Sequence, residues 1–280
     1  MKVVKNILYV IFLSLLALVL LFPFFVMLSR SFMTLEEATD IPVRLFPSSL
    51  QFTNYVKAMD AKFFTHFGNT FLVIGCNVIF VPLSGFLVAY GFAKIKFAGS
   101  NVIFSIGMAT LMMPSIVCTI PLYVFYSRLN WLNTLLPLII PPMFGGGMMN
   151  IFLIHQFLRG IPNTYVEAAK LDGANELKIA FGIIAPLALP VITLVAVNTF
   201  IGTWNDFTGP LTYISRNASE KWTLAVAIYD RFRRAGGDIV KKAPQVQAAL
   251  CVIMMIPSMI LFAFFQKSLI NGVSLSGIKG

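Results

Sequence analysis

Long apolar stretches, separated by shorter polar segments, dominate the chain from end to end. Six of them are long enough to cross a bilayer as helices, because the hydrocarbon layer needs about 20 apolar residues. We therefore predict an all-α membrane protein with six transmembrane helices. The first apolar stretch is too long for a signal-peptide core, so we expect it to be retained. The predicted spans are residues 7–28, 67–92, 102–126, 135–157, 183–212 and 246–265.

Composition supports the membrane assignment and narrows the function. Hydrophobic residues make up 58% of the chain and charged residues 11%, against roughly 45–50% and about 25% in soluble domains. The net charge of +10 is scattered rather than clustered, so we expect no nucleic-acid partner. The three cysteines lie in apolar stretches and the two histidines are far apart. We expect no metal, no cofactor and no enzymatic activity.

The connection between the fourth and fifth spans, within residues 161–190, has the clearest local signals. Thr164 followed by Glu167 fits a capping box at the start of a short helix. Gly173 suits the left-handed turn that ends such a helix, and Asn175 can cap the next one. The sequence therefore predicts a helix, a sharp turn and a second helix that enters the membrane near Pro186.

Glu167-Ala168-Ala169 followed by Asp172-Gly173-Ala174 resembles the EAA loop of ABC importer permeases, in which a short helix docks into a cleft of a cytoplasmic ATPase. The alternative is an ordinary amphipathic connector that Glu167 caps. The resemblance also includes Phe181, Ile184, Pro186 and Pro190. It implies an ATPase-coupling set made of Glu167, Ala168, Ala169, Leu171, Asp172, Gly173 and Ala174.

Other segments resemble the carbohydrate-uptake branch of these permeases, specifically the smaller of two paired MetI-like subunits. The resemblance implies a bacterial plasma-membrane protein with both termini cytoplasmic, an orientation that the charge distribution leaves open. It implies as partners a second homologous permease subunit, two ATP-binding subunits and an extracytoplasmic solute-binding protein, besides the lipid bilayer. We predict a first helix with an external loop over 1–66 and a five-helix core over 67–280. The resembling segments include Asn54-Tyr55, Ala89-Tyr90, Met113-Pro114 and Trp204-Asn205-Asp206-Phe207.

Polar side chains in the fifth span are candidates for a solute path. Asn198, Gly202 and Asn205 recur at helical spacing and share a face. Trp204 offers a flat surface for a sugar ring, and Asn205 and Asp206 offer partners for hydroxyl groups. The alternative is that this face packs against another helix, and the same alternative applies to Asn77 and Ser84 in the second span.

A basic segment lies in the long connection before the last span, which is expected outside. Its residues Arg231, Phe232, Arg233 and Arg234 precede Gly236-Gly237. We expect an exposed loop, and the resemblance implies contact with the solute-binding protein. A loop bound to solvent or lipid headgroups is the alternative.

Two other classes of protein remain to be distinguished from a sugar importer. An ABC permease for a non-sugar solute would share every motif named above. An ion-driven secondary transporter often has internal repeats and interrupted helices, and the sequence indicates neither.

Overall fold

The computed structural model describes residues 2–42, 44–234 and 243–277, with side chains described from residue 5 to 233 and from 243 to 266. Every regular element in these ranges is helical. The helices are α1 Lys2–Ser31, α2 Leu35–Thr39, α3 Thr53–Ala58, α4 Ala61–Lys94, α5 Ser100–Thr110, α6 Ser115–Arg128, α7 Leu136–Ile139, α8 Met148–Gly160, α9 Thr164–Leu171, α10 Glu176–Ile179, α11 Ala185–Leu187, α12 Leu189–Trp204, α13 Thr208–Tyr213, α14 Leu224–Arg234 and α15 Pro244–Gly277. A π-helical turn covers Ala180–Ile184, and a 3₁₀ segment covers Arg216–Lys221.

Three helices in the described ranges are long and apolar enough to cross a membrane, namely Lys5–Ser31, Ala61–Lys94 and Pro244–Gln266. Two further spans result if each of two bent helix pairs counts as one. Most apolar side chains of the first helix between Ile7 and Leu28 are exposed. Since an apolar surface of this size is costly in water, these side chains belong in contact with lipid or with a neighbouring membrane subunit.

Two of the predicted spans are interrupted. The axes of α5 and α6 differ by 98°, and those of the segments Glu176–Leu187 and Leu189–Trp204 differ by 79°. Pro114 lies directly before α6, and Pro190 lies in the first turn of α12. Proline lacks an N–H group and clashes with the preceding turn, so each helix restarts there. The expectation of uninterrupted spans was wrong, and it gives no argument against an ion-driven transporter.

The fourth predicted span, 135–157, is also divided. It consists of α7, a run of turns, and α8, which has only 13 residues. Gly145, Gly146 and Gly147 all have positive φ angles between the two helices. A Cβ atom on Gly146 would lie 2.2 Å from Cγ1 of Val81. The glycines therefore both break the helix and let its backbone approach α4 closely.

The described residues form two compact units, one within 1–64 and 228–260 and the other within 65–227 and 261–280. In the first unit, Asn54 Nδ2 donates hydrogen bonds to the carbonyls of Ser31 at 2.9 Å and Met33 at 2.8 Å. Thr34 and Glu37 form a reciprocal capping box at the start of α2. Glu37 also accepts hydrogen bonds from the backbone and side chain of Ser48. The described part of the connection between α1 and α4 is therefore folded.

Two apolar clusters lie among the described residues of the second unit. The larger joins α4, α8, α9, the π-helical turn and α12 through Phe86, Leu158, Val166 and Ile184. The smaller contains Trp222, whose Nε1 donates to the carbonyl of Ile214 at 2.9 Å. Residues of α9 belong to the larger cluster, so the connection at 161–190 packs against α4, α8 and α12.

Candidate functional site

The short helix α9 begins at Thr164, one residue after Asn163. The predicted capping box between Thr164 and Glu167 is wrong, because the residue before the helix makes no side-chain cap. Asn163 already has right-handed helical backbone angles, and its carbonyl accepts from the amide of Glu167 at 3.0 Å. Thr164 is therefore the first helical residue and lacks the extended backbone that a capping side chain requires.

The end of α9 agrees with the sequence prediction. Gly173 has a φ angle of +78°, and its amide donates to the carbonyl of Lys170 at 3.0 Å. The amide of Ala174 donates to the carbonyl of Ala169 at 3.0 Å. These two bonds form a Schellman motif, which satisfies carbonyls that the helix end leaves free. Asn175 Oδ1 then accepts from the amide of Lys178 at 2.9 Å and caps α10.

The two faces of α9 differ. Val166 and Ala169 are buried in the larger cluster. On the other side, the Leu171 side chain is 89% exposed, and Tyr165 is about half exposed. Glu167, Ala168 and Asp172 are also exposed. Leu171 and Tyr165 therefore present apolar side chains on the outer face of α9.

A groove of about 580 Å³ runs beside this helix. Tyr165, Ala168 and Asp172 line it on the α9 side, and Lys178 and Ile183 line it on the side of the following segment. The groove therefore extends the exposed surface of α9 toward α10.

Polar contacts fasten α9 and α10 to the end of α4. Tyr90 Oη donates to Glu176 Oε2 at 2.8 Å, and Lys170 Nζ lies 2.6 Å from Glu176 Oε1. Lys94 Nζ donates to the carbonyl of Ile161 at 2.6 Å. The contact of Tyr90 with Glu176 was not predicted from the sequence, because the two residues are 86 positions apart. The sequence offered one signal for these contacts, because a tyrosine and a lysine lie one helical turn apart at the end of a span and share a face.

The predicted polar face of the fifth span lies largely on the surface of this chain. Asn198 and Asn205 are exposed, and Asp206 is half-buried. The Asp206 carboxylate accepts from the amide of Gly209 at 3.0 Å, at the start of α13.

Trp204 is separated from these residues because it points into the protein. It is 1% exposed, and the rings of Phe200, Phe67 and Phe71 lie around it with centroids 5.9–6.3 Å away. In this conformation it has no ring face open to a solute.

The polar residues of the second span serve packing within the chain. Asn77 is buried and donates from Nδ2 to the carbonyl of Leu138 at 3.1 Å. Ser84 Oγ accepts from the amide of Gly145 at 2.8 Å. Both contacts correspond to the helix-packing alternative.

The basic segment 231–234 is the last turn of α14 and not a loop. Arg231 is half-buried and donates to the carbonyls of Ala58 at 3.1 Å and Lys57 at 3.0 Å, which stabilises the end of α3. Phe232 is half-buried and Arg233 is exposed. The side chain of Arg234 and the pair Gly236-Gly237 lie outside the described residues.

The described side chains contain no group of three or more His, Cys, Asp or Glu residues that could hold a metal ion. The surface around α9 likewise combines an apolar contact with ordinary hydrogen bonds.

Residues 82–274 match the family described as "Binding-protein-dependent transport system inner membrane component". The chain is 28% identical over 268 residues to the arabinooligosaccharides transport system permease protein AraQ of Halalkalibacterium halodurans, covering 94% of this chain and 93% of that protein. It is 27% identical over 261 residues to the melibiose/raffinose/stachyose import permease protein MelC of Bacillus subtilis, covering 92% and 91%.

A crystal structure of a bacterial ABC transporter involved in the import of the acidic polysaccharide alginate has the same fold. The TM-score is 0.83 at 24% sequence identity, covering 94% of this chain and 96% of that chain. The family match extends over more than half of the 280 residues. The chain therefore belongs to the family of binding-protein-dependent transport system inner membrane components, which are permeases of ABC transporters and not enzymes.

Proposed function

We propose that this chain is a permease subunit of a binding-protein-dependent importer for a sugar or oligosaccharide, driven by a separate ATPase. The observation that carries the proposal is helix α9, with its buried inner face, its fixed ends and the exposed Leu171. Relatives named as permeases for arabinooligosaccharides and for melibiose, raffinose and stachyose support a carbohydrate as the solute.

The ATPase docks on the outer surface of α9. Leu171 and Tyr165 supply the apolar contacts, and Glu167, Ala168 and Asp172 surround them with small or polar groups. Ala169 packs inward under this surface, and Gly173 and Ala174 end the helix, so these residues hold the docking surface in shape. A helix that is anchored in this way moves as a unit when its partner moves, whereas a flexible loop would absorb the displacement.

This docking places the 161–190 segment and both chain termini in the cytoplasm of a six-span protein. The interrupted helices count as spans three and five. The segment made of α7, the glycine turn and α8 counts as span four. A second homologous permease subunit completes the membrane path, and each permease subunit binds one of two ATPase subunits.

The solute path runs along the exposed face of α12. Asn198 and Asn205 supply amide groups there, and Asp206 lies at its end. Trp204 supports this face from behind, since its ring packs among phenylalanines. Packing of the same face against the second permease subunit is the alternative. Substitution of Asn198 by leucine separates the two, because it alters solute preference only if the amide lines the path.

The solute-binding protein contacts the end of α14. Arg233 is exposed there and Phe232 is half-buried, whereas Arg231 is committed to the α3 carbonyls. We therefore assign the contact mainly to Phe232, Arg233 and Arg234, with Arg231 holding their helix in place.

Uptake of labelled oligosaccharides by cells carrying the complete operon tests the proposal. Replacing Leu171 by lysine is expected to reduce uptake about tenfold or more, because burial of a leucine contributes about 1.5–3 kcal/mol. The matched control is Leu35→Lys, which changes an exposed leucine on α2. This variant should keep wild-type uptake and should retain the ATPase. Membrane levels of both variants are compared by immunoblot.

Two other results would contradict parts of the proposal. Uptake that stops when an ionophore collapses the ion gradients, with ATP held constant, would indicate an ion-driven transporter. ATP-dependent uptake of a peptide or amino acid in place of oligosaccharides would indicate a non-sugar ABC permease.

A further inference from the structure

Two residues at the end of α4, Tyr90 and Lys94, lie one helical turn apart and therefore on the same face. Lys94 reaches the connection before α9. Its Nζ donates to the carbonyl of Ile161 at 2.6 Å and to Asn163 Oδ1 at 3.0 Å. Asn163 is the residue directly before α9, so Lys94 holds the beginning of that helix.

Tyr90 reaches the other end of α9 through a carboxylate. Glu176 is the first residue of α10, and its two oxygens have different partners. Oε2 accepts from the Tyr90 hydroxyl at 2.8 Å, and Oε1 lies 2.6 Å from Lys170 Nζ, in the last turn of α9. Tyr90 is only 4% exposed, so its hydroxyl is fixed by packing. Charge-assisted bonds of this kind are shorter and more directional than neutral ones.

Helix α9 is thus fastened at both ends to one turn of α4. Between these attachments it buries only Val166 and Ala169 among its eight residues. The ion pair between Lys170 and Glu176 is half-exposed and adds little stability by itself. Its geometric effect is larger, because the two attachments prevent α9 from sliding or tilting independently of α4.

We propose that Lys170, Glu176 and Tyr90, together with Lys94, form a tether that transmits the displacement of α9 to α4. The tether converts ATPase closure into movement of that membrane helix. These are positioning residues: they touch neither solute nor nucleotide. The inference rests on the proposed function, in which α9 docks the ATPase.

The experiment uses the complete importer in proteoliposomes, with both permease subunits, the ATPase and the solute-binding protein. Solute imported per ATP hydrolysed is measured together with the amount of ATPase retained after purification. Tyr90→Phe removes one hydroxyl and keeps the ring, and Lys170→Met removes the charge. Each is expected to retain the ATPase and to lower the solute imported per ATP about fivefold, the low end of typical coupling between sites.

Two control variants match these changes. Lys170→Arg keeps a cation opposite Glu176 and should restore the wild-type ratio. Tyr123→Phe removes a hydroxyl from an exposed tyrosine on α6 and should leave the ratio unchanged.

Two outcomes would overturn the tether alone. One is a wild-type ratio in both Tyr90→Phe and Lys170→Met. The other is loss of the ATPase from Lys170→Met with normal Tyr90→Phe, which would make Lys170 a docking contact. If the wild-type complex retains no ATPase at all, the proposed function fails and the tether fails with it.

Discussion

Replacement of Gly173 measures how much the left-handed turn contributes to the end of α9. An L-residue in a left-handed conformation costs about 1–2 kcal/mol. A Cβ atom at Gly173 would meet no other atom within 4 Å, so Gly173→Ala adds no steric clash. Both bonds of the Schellman motif can persist in this variant. The full effect therefore comes from the backbone angle of +78°.

Hydrogen exchange of the purified protein in nanodiscs measures the free-energy cost of this backbone angle. The amides of residues 173 and 174 donate the two closing bonds, and their protection should fall by roughly 5- to 30-fold in Gly173→Ala. Gly173→Asn should lose less, because asparagine enters the left-handed region more readily. Gly173→Pro should lose the turn, since proline has neither the N–H nor access to this angle.

The matched control is Gly160→Ala at the end of α8. This glycine also has open space around its Cβ position, but it lacks a positive φ angle. Protection of the backbone amides in this variant should match or slightly exceed that of the wild-type protein. Wild-type protection in Gly173→Ala would refute the backbone argument, and equal loss in the alanine and asparagine variants would point to side-chain volume instead.

Three other predictions concern packing and pH. Leu158→Ala empties a fully buried site in the larger cluster and should lower the free energy of unfolding by about 2–5 kcal/mol, measured by denaturation in detergent. Gly146→Ala combines a left-handed backbone with the contact to Val81, and should cost about 2–4 kcal/mol in the same assay. Hydrogen bonds lower the pKa of Glu37 from 4.5 to about 2, first from the Ser48 side chain and then from the backbone amides of Thr34 and Ser48. This carboxylate therefore stabilises the segment between α1 and α4 above pH 4.5, and the stabilisation is lost as the pH falls from 4.5 to about 2. Limited proteolysis at a series of pH values measures the loss.

Each of these predictions has its own control. Leu177→Ala removes an exposed leucine and should change stability by less than about 0.5 kcal/mol. Ser48→Ala should make the acid sensitivity of the segment between α1 and α4 smaller, whereas Ser49→Ala should not. A Leu158→Ala protein as stable as wild type, a neutral Gly146→Ala, or identical acid profiles for the two serine variants would contradict the respective argument.

The turn after α9 could be predicted from the sequence because its signals are local. Gly173 and Asn175 act on backbone groups within a few residues. The start of α9 was predicted incorrectly for a related reason. A threonine three residues before a glutamate marks a helix start to within a residue, and the structure begins the helix at Thr164 itself.

The long-range features could not be predicted in this way. Pro114 and Pro190 are visible in the sequence, but proline in a membrane helix is compatible with either a gentle kink or a full break. The direction in which Trp204 points depends on phenylalanines from α4. The contact of Tyr90 with Glu176 joins residues far apart in the chain, and hydrophobic periodicity contains no information on such a pair.

The most direct test of the central claim is cross-linking of α9 to the ATPase. Leu171→Cys is introduced into a chain whose cysteines Cys76, Cys118 and Cys251 are replaced by serine, with Leu35→Cys as the control. A reagent joining a thiol to a nearby amine is added to the complex in inverted membrane vesicles. The account predicts a product containing the ATPase for Leu171→Cys and none for Leu35→Cys. If Leu171→Cys reacts only from the external side of the membrane, or forms no product with an ATPase that is present, the claim that α9 docks the ATPase is contradicted.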